Sequence, residues 1–280
     1  MLNNFKLIFL CLIFIPIPTL CIADITKINN LISLKVQLET LNKNDLVIFD
    51  IDNVVIQPVD QIFHPHNKNK LAQYYANIQS KVSPEKMNEL LSVINRQQEV
   101  KLVDPDINEV FALLRKRSIP TIALTHCRTG KFGKIKDVTD WRIAQLGKVG
   151  INFKDLNRYQ NQPYNNLNGK YGTAMFKSGI LFTGYVTDKG VVLAEFLLSN
   201  NISPRKIIFI DDRRSNLEHV EATLRARNIN FSGFEYIAVS EQSIVEIDPS
   251  ITDLQFYVLQ NESKWLPDRK ARDQITTSLP

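Results

Sequence analysis

The chain has 280 residues, of which 44% are hydrophobic, and this length and composition are normal for a globular protein with a full core. One catalytic domain with insertions fits this length better than two independent domains. The net charge of +5 comes from lysines and arginines that are scattered along the chain. The absence of a basic run argues against nucleic acid as a partner, and a modest positive charge favours anionic substrates.

Residues 1–23 have the pattern of a secretory signal peptide. A segment with one positive charge precedes the apolar run Leu7–Leu20, and small residues lead to a cleavage site after Ala23. An uncleaved membrane anchor is disfavoured because the run is shorter than the roughly 20 residues of a spanning helix. A lipoprotein attached through Cys21 is disfavoured because a bulky leucine precedes that cysteine. We expect an exported protein, periplasmic or secreted, with no stable membrane insertion after cleavage. Cys127 is then the only cysteine left, so no intramolecular disulfide can form.

The next elements are an amphipathic helix predicted over Asp24–Leu41 and a strand predicted over Leu46–Val55. The second segment is a β-branched and aromatic run, which is typical of a strand buried on both faces of a parallel sheet. Asp50 and Asp52 would share one side of this strand, because side chains alternate, and would face the crevice where open α/β sheets bind ligands. A pair of aspartates in a surface turn is the alternative.

The segment 58–104 is longer than a simple strand connection requires. It contains two predicted helices, Lys70–Ser80 and one that begins at Pro84 and ends at Arg96, which would form a small helical cap over the strand ends. His64 and His66 make only a weak zinc site and are predicted to be loop residues. Candidate pocket contacts, which a solvated helix face explains equally well, are Asn67, Lys68, Lys70, Tyr74 and Tyr75.

A second buried strand, Ile119–Leu124, ends in polar residues. Thr125 lies where its hydroxyl could donate to a phosphate oxygen, although a threonine at a strand end is more often a turn or helix cap. His126 beside it is a second candidate for contact with substrate. Cys127 is predicted to be a structural thiol rather than a nucleophile, because His126 is the only histidine placed near it.

The connection to the third motif contains several elements. A helix is predicted over Asp137–Val149, a loop over Asn161–Gly172, and a hairpin over Ala174–Thr183 that turns at residues 177–179. Lys177 in this turn is a second candidate for a phosphate-binding lysine.

Lys189 lies in the first turn of a predicted helix, where the helix dipole disfavours a cation unless the lysine and the helix terminus share an anion. A solvated surface lysine is the alternative. The strand Lys206–Ile210 then ends in Asp211 and Asp212, which are hard oxygen ligands suited to Mg²⁺. One of these two aspartates could instead cap the following helix.

The last predicted elements are a helix over Asn216–Arg227, a strand over Phe234–Val239 and a loose tail.

Four segments of the chain resemble, in the same order, the four motifs of the haloacid dehalogenase (HAD) superfamily: Asp50-Ile51-Asp52-Asn53-Val54, Thr125, Lys189, and Asp211-Asp212 with Asn216. The resemblance spans residues 44–240. It implies a Rossmann-like sheet, an aspartate nucleophile and bound Mg²⁺. At subfamily level the chain looks like an uncharacterised group of exported bacterial HAD-like proteins, for which the resemblance implies no substrate.

The resemblance implies a role for each matching residue. Asp50 corresponds to the nucleophile that forms an aspartyl phosphate, and Asp52 to the acid/base that protonates the leaving oxygen and then activates water. Thr125 and Lys189 correspond to the groups that hold the phosphoryl oxygens. Asp212 aligns best with the carboxylate that binds the metal.

The resemblance also bears on the metal site, the reaction type and the helical insertion. Asp211 and Asn216 would support the metal site, to which Asp52 would contribute its backbone carbonyl. Asn216 replaces a common aspartate, which puts the metal affinity in doubt. Dehalogenases of the superfamily lack the second aspartate, so Asp52 favours phosphoryl transfer over dehalogenation. A helical insertion such as 58–104 would screen the reaction from water and select the substrate.

The sequence therefore predicts an α/β fold, a Rossmann-like parallel sheet flanked by helices, with a small helical cap inserted after the first strand. Its predicted function is that of an exported Mg²⁺-dependent phosphatase acting on a small phosphomonoester. A catalytically silent HAD fold that serves as a binding module at the cell surface or toward a host partner is the alternative. The predicted divisions are a signal peptide at 1–23, a catalytic core at 24–57 and 105–265, a cap at 58–104 and a loose tail at 266–280.

Overall fold

The computed structural model describes residues 24–186, 188–244 and 246–277, so the predicted signal peptide lies outside the described residues. The strands of the described residues are β1 (Asp24–Ile28), β2 (Leu46–Phe49), β3 (Ile56–Pro58), β4 (Val100–Leu102), β5 (Thr121–Thr125), β6 (Gln162–Gly169), β7 (Gly172–Lys177), β8 (Ile180–Phe182), β9 (Lys206–Asp211) and β10 (Asn230–Tyr236). The α-helices are α1 (Lys35–Glu39), α2 (Lys68–Gln79), α3 (Pro84–Gln97), α4 (Ile107–Lys116), α5 (Val138–Lys148), α6 (Lys189–Ser199), α7 (Arg214–Arg225), α8 (Pro249–Glu262) and α9 (Asp268–Thr277).

The main sheet has eight strands in the order β1-β10-β9-β2-β5-β8-β7-β6. The strands from β1 to β8 in this order pair in parallel, and β7 and β6 complete the sheet as antiparallel strands. Phe49 of β2 lies opposite Ala123 of β5 and Ile210 of β9, so the carboxyl ends of the three central strands meet at one edge. The predicted α/β fold class is confirmed.

Side chains of β2 alternate between two apolar layers, which explains why all four of its residues are buried. Val47 and Phe49 belong to the layer that α4 and α5 cover. Leu46 and Ile48 belong to the layer that α6 and α7 cover on the opposite face. Each fully buried aliphatic or aromatic side chain contributes about 1.5–3 kcal/mol, so this two-sided burial fixes the strand firmly. The burial of β2 also fixes the position of the polar residues that directly follow the strand.

A helical lobe forms around a third apolar cluster. Helices α2 and α3 supply one side of this cluster, as predicted for the segment 58–104, and β3 and β4 form a two-stranded antiparallel connection at its base. Phe256 and Leu259 of α8 and the buried Trp265 supply the other side. The lobe is therefore built from an internal insertion and from the last part of the chain.

The prediction of a loose tail at 266–280 is wrong for the described residues. Leu266 is buried and α9 begins at Asp268, with Ala271 fully buried against α8. The apolar positions of this helix are few and small, so the sequence shows little periodicity there. The Asp268 amide donates a hydrogen bond to the buried Asp60 of the lobe, which helps to hold this segment in place. Residues 278–280 lie outside the described residues.

The predicted helix over Asp24–Leu41 is wrong in its first part. Residues 24–28 form β1, an edge strand in which Ile25 lies opposite Gly233 of β10. The apolar spacing of Leu34, Leu38 and Leu41 is helical, and the chain is indeed helical over much of that stretch. Pairing with β10 overrides that pattern for the first five residues.

At the β6 edge of the sheet, one prediction needs correction and another is confirmed. The predicted loop over Asn161–Gly172 is mostly β6, which pairs with β7 across a register irregularity between Pro163 and Asn168. Its side chains are largely exposed, as on an edge strand, and their polar composition resembles that of a loop. The predicted hairpin turn at 177–179 is confirmed, with positive φ at both Ser178 and Gly179.

The last strand was predicted over Phe234–Val239. The structure instead places β10 over Asn230–Tyr236. Across the described part of the chain, no helix combines the length and the apolar character needed to cross a bilayer.

Candidate active site

A cavity of about 330 Å³ opens at the carboxyl edge of the parallel strands. Its walls come from the ends of β2, β5 and β9, from the segment after β8 and from the first turns of α6 and α7. The residues that line it are Asp50, Asp52, Asn53, Thr125, His126, Tyr185, Val186, Lys189, Asp212, Arg213 and Asn216. The structure thus brings together the polar residues that the sequence placed at four separate strand and helix ends.

Lys189 lies at the centre of the polar cluster. It is the first residue of α6, its side chain is 1% exposed, and its Nζ lies 3.0 Å from Asp50 Oδ1 and 2.7 Å from Asp211 Oδ2. Asp188 caps the helix by accepting a hydrogen bond from the Gly190 amide. A cation at a helix amino terminus is unfavourable unless anions are held there too, and these two carboxylates are those anions.

Asp211 and Asp212 have different surroundings although they are adjacent. Asp211 is fully buried and accepts hydrogen bonds from Lys189 Nζ, from Asn216 Nδ2 and from the Arg213 amide. Asp212 is half-buried, lines the cavity and accepts a hydrogen bond of 3.0 Å from Asn53 Nδ2. Asp211 is therefore suited to position the lysine, whereas Asp212 presents its carboxylate to the cavity.

Carboxylates outnumber cations in the buried part of this cluster. Oxygens of Asp50, Asp211 and Asp212 lie within 4.8 Å of one another, and Lys189 is the ammonium that contacts two of these three groups. Burial raises the pKa of Asp50 to about 8, against the opposing effect of Lys189 and with a smaller raising effect of the neighbouring aspartates. The pKa of Asp212 is also raised, by burial and by Asp211. A divalent cation would balance this excess of negative charge, and hard oxygen donors of this kind suit Mg²⁺.

Asp52 lies at the rim of the cavity and is held by an arginine that the sequence analysis missed. Arg142 of α5 donates from Nη1 and Nη2 to the two oxygens of Asp52, at 3.0 and 3.1 Å, in a bidentate ion pair. Its Nη1 also donates to Gln145 at 2.7 Å. Arg142 is buried, while the Asp52 side chain is 53% exposed. The geometry fixes the direction of Asp52 but leaves it accessible to a ligand.

Thr125 and His126 complete the wall opposite α7. Thr125 is the last residue of β5 and is buried, and His126 Nδ1 lies 2.8 Å from Thr183 Oγ1. Burial and, to a smaller degree, Lys189 lower the pKa of His126 to about 4. The imidazole is therefore neutral at neutral pH and can exchange hydrogen bonds with a bound group without adding charge.

Several other candidates lie elsewhere. Lys177 forms an ion pair with Asp140 at 2.7 Å and is not in the lining of the cavity, so it is not a phosphate-binding residue. Cys127 is buried, and burial raises the pKa of its thiol, as expected for a structural cysteine. His64 and His66 stack on each other beside the helical lobe, away from the cavity lining.

The candidate pocket contacts in the predicted cap do not reach the cavity. Among the described residues, those that line the cavity include none from the helical lobe. Asn67 is buried and donates to the Gln61 carbonyl, and Tyr74 stacks on Phe256 of α8. These side chains hold the lobe together because α8, which the sequence did not place there, covers their helix face.

Four lining residues were absent from the sequence-based site: Asn53, Tyr185, Val186 and Arg213. Asn53 and Arg213 directly follow the predicted site residues Asp52 and Asp212, so their position in the sequence could have placed them at the site. The positions of Arg142 and Tyr185 depend on tertiary contacts and carried no sequence signal of their own.

Relatives of the chain occur in bacteria. A family model described as "Protein of unknown function (DUF2608)" matches residues 22–272. The uncharacterised protein RP296 of Rickettsia prowazekii (strain Madrid E) is 24% identical over 261 residues, which cover 92% of this chain and 90% of that protein. A Chlamydia trachomatis (serovar D) protein named "Putative outer membrane protein" is 23% identical over 242 residues, covering 82% of this chain and 85% of that protein. The predicted similarity to an uncharacterised bacterial group is confirmed.

Solved structures with a similar arrangement have names from the superfamily that the motifs resemble. The haloacid dehalogenase-like family hydrolase SP0104 from Streptococcus pneumoniae aligns with a TM-score of 0.36 and 13% identity, covering 67% of this chain and 92% of that chain. The HAD family hydrolase t0658 from Salmonella enterica serovar Typhi aligns with a TM-score of 0.34 and 10% identity, covering 73% and 74%. At these TM-scores and identities, the similarity does not assign a function to this chain.

Proposed function

The chain belongs to the DUF2608 family, and we propose that it is an exported hydrolase that removes phosphate from a small phosphomonoester through an aspartyl-phosphate intermediate. One observation carries the proposal: buried Lys189 bridges Asp50 and Asp211 at the carboxyl edge of the sheet, beside Asp212 and Thr125. A buried cation and a hydroxyl that would bind phosphoryl oxygens thus lie in one cavity with a carboxylate that would attack phosphorus.

In the first step, an oxygen of Asp50 attacks phosphorus and the bond from phosphorus to the alcohol oxygen breaks. Asp52 enters this step protonated, with one oxygen released from the bidentate pair with Arg142, and gives its proton to that alcohol oxygen as the alcohol leaves. In the second step, Asp52 accepts a proton from water as the water attacks phosphorus. The acyl phosphate bond breaks, inorganic phosphate leaves and the Asp50 carboxylate is restored.

Lys189 and Thr125 hold the transferring phosphoryl group in both steps. The lysine ammonium is fixed by two carboxylates, so little reorganisation is needed when charge develops on the phosphoryl oxygens. His126 is neutral and lines the same wall, where it can donate or accept a hydrogen bond. Asp211 acts through Lys189 and is a positioning residue.

The residues that would hold Mg²⁺ are Asp50 and Asp212, with the backbone carbonyl of Asp52. Their fit rests on the excess of carboxylates over cations in the cluster. A divalent ion bound by these residues would supply positive charge next to the phosphoryl oxygens and to Asp50, which would favour the ionised form of that carboxyl group. Asn53 and Asn216 orient Asp212 and Asp211 respectively by hydrogen bonds.

Export is proposed because residues 1–23 have the sequence pattern of a secretory signal peptide. The printed name of the Chlamydia trachomatis relative, which refers to the outer membrane, is compatible with a location outside the cytoplasm.

The experiment is a phosphatase assay on the purified protein with 4-nitrophenyl phosphate, with and without Mg²⁺. We expect metal-dependent turnover and a fall in kcat/KM of about a thousandfold or more in Asp50→Asn. Asp60→Asn is the matched control, because Asp60 is also a buried aspartate but lies in the helical lobe. It should keep the activity of the unmodified protein.

Two results would change the assignment. Equal turnover by Asp50→Asn and the unmodified protein would remove Asp50 as the nucleophile. A lack of metal-dependent turnover over a wide panel of phosphomonoesters would instead favour the catalytically silent binding module.

A further inference from the structure

Tyr185 lines the cavity beside Asp50 and Lys189, but the proposed reaction gives it no role. Tyr185 is 45% exposed, so it is accessible to a molecule bound in the cavity. Its φ is 64°, in the left-handed region that bulky residues rarely adopt. A strained aromatic residue at a cleft suggests that its placement there has a function.

The tip of the β6–β7 hairpin holds Tyr185 in this conformation. The Tyr171 amide donates to the Gly184 carbonyl at 2.9 Å, and the Lys170 amide donates to the Tyr185 carbonyl at 3.3 Å. A Cβ on Gly184 would lie 2.1 Å from the Gly172 carbonyl oxygen, so only glycine permits this close backbone approach. Tyr185 is therefore preorganised by backbone contacts and does not depend on a ligand for its position.

Two more aromatic side chains contact the ring of Tyr185. The ring of Tyr171 meets that of Tyr185 edge to face, with centroids 5.0 Å apart, and His126 stacks on Tyr185 at 5.9 Å. The Arg128 guanidinium lies 4.5 Å from the centroid of Tyr171. We call Tyr171, Tyr185 and His126 the aromatic platform. It lies next to the proposed phosphate-binding groups, since Tyr185 and His126 line the same cavity as Lys189.

We infer that the alcohol released from the substrate has a planar aromatic ring, which binds against the aromatic platform while its phosphate binds at Lys189. This inference rests on the proposed function, because it names the substrate class of that same site. The cavity of about 330 Å³ falls within the size range of ligand pockets. Aromatic rings gain from stacked or edge-to-face contact with other rings, whereas a saturated group gains only from burial.

The test compares benzyl phosphate with cyclohexylmethyl phosphate, which have similar size and similar leaving alcohols but differ in ring planarity. We expect kcat/KM to be about tenfold higher for benzyl phosphate, the effect of one good aromatic contact. Adenosine 5′-phosphate serves as a further substrate. A kcat/KM higher than that for benzyl phosphate supports the inference and identifies a nucleotide base as the source of the ring.

Substitutions of Tyr185 test whether the aromatic platform causes the preference for benzyl phosphate. Tyr185→Leu should reduce the preference for benzyl phosphate over cyclohexylmethyl phosphate to about twofold or less, whereas Tyr185→Phe should keep the preference. Tyr257→Leu is the matched control, since Tyr257 is 62% exposed on α8 and should show the preference of the unmodified protein. Thermal unfolding of Tyr185→Leu separates a local effect from misfolding.

Binding of benzyl phosphonate and cyclohexylmethyl phosphonate, measured by calorimetry, separates this inference from the proposed function. These compounds have no phosphorus–oxygen bond to the organic group and need no turnover. Tighter binding of benzyl phosphonate without any phosphatase activity would support the platform and overturn the hydrolase. Turnover with equal kcat/KM for the two phosphates, or a preference that persists in Tyr185→Leu, would overturn the platform and leave the hydrolase standing.

Discussion

Asp50 at the sheet edge and Asp60 in the helical lobe are both buried aspartates, but their partners differ. Asp60 accepts hydrogen bonds from the Trp265 indole Nε1 and from the Asp268 amide, each at 2.8 Å. Asp50 contacts Lys189 at 3.0 Å and lies among three other carboxylates that act on its pKa. Burial raises the pKa of both groups, to about 8 for Asp50 and to about 6 for Asp60.

The hydrogen-bond and charge partners of each buried aspartate indicate its role. The acceptors of Asp60 are matched by neutral donors that join two distant segments, so the group serves to hold the lobe together. Around Asp50 the carboxylates repel one another, and the ammonium of Lys189 contacts two of the three that lie closest together. Such a cluster is costly for folding and is explained by what it binds.

The largest effect is expected when Lys189 is removed from the sheet edge. Lys189→Met leaves Asp50 and Asp211 buried without their shared cation, and the free energy of unfolding without divalent metal should fall by about 3–5 kcal/mol. Lys177→Met is the control, because its partner Asp140 is 65% exposed, and should cost less than about 1 kcal/mol. Urea unfolding measures both. A loss below about 1 kcal/mol in Lys189→Met would contradict the charge imbalance.

The second largest effect is a pH dependence of the free energy of unfolding that is caused by Asp60 in the helical lobe. Because the folded pKa of Asp60 is raised from 3.8 to about 6, the native state binds more protons than the unfolded state between these values. Stability due to this group is therefore lost as pH rises from about 4 to about 6, by up to about 3 kcal/mol.

Urea unfolding of the unmodified protein and of Asp60→Asn across this pH range isolates the effect. The difference between their free energies of unfolding should fall with rising pH, in favour of the variant. A difference that stays constant would show that Asp60 titrates normally.

Mg²⁺ should have a slightly smaller effect on the free energy of unfolding. This effect should depend on the carboxylates at the sheet edge and not on the helical lobe. Free Mg²⁺ at about 100 times its dissociation constant should raise the free energy of unfolding by about 2.7 kcal/mol. Asp212→Asn should lose most of this gain, whereas Asp60→Asn should keep it, because the helical lobe takes no part in the proposed metal site. Thermal unfolding of each variant in the presence of Mg²⁺ and in the presence of a chelator measures the stabilisation by the metal. An equal gain in both variants would place the metal elsewhere.

Much of the sheet edge could be predicted from the sequence because its signals are local. Asp50, Thr125 and Asp211 each end a buried apolar run, and the carboxyl ends of neighbouring parallel strands necessarily meet. Lys189 was recognisable as a cation at a helix start, where only a nearby anion makes it favourable.

The missed features depend on contacts between distant segments. Arg142 reaches Asp52 across 90 residues, and nothing in either segment indicates the pairing. The position of Tyr185 follows from a close approach of two backbones. Helix α9 has too few apolar residues to show periodicity, and β1 is a strand because β10 offers it an edge. Local pattern indicates burial, but the partner is set by the tertiary fold.

The pairing of Trp265 with Asp60, 205 residues earlier in the chain, has a consequence for biosynthesis. Helices α2 and α3 emerge from the ribosome long before α8 exists, so their apolar faces have no native cover while most of the polypeptide is being made. Nascent chains must keep that surface from aggregating until the final turns of the protein arrive. Chains that stop before residue 249 would release the sheet without the helices that seal its companion lobe.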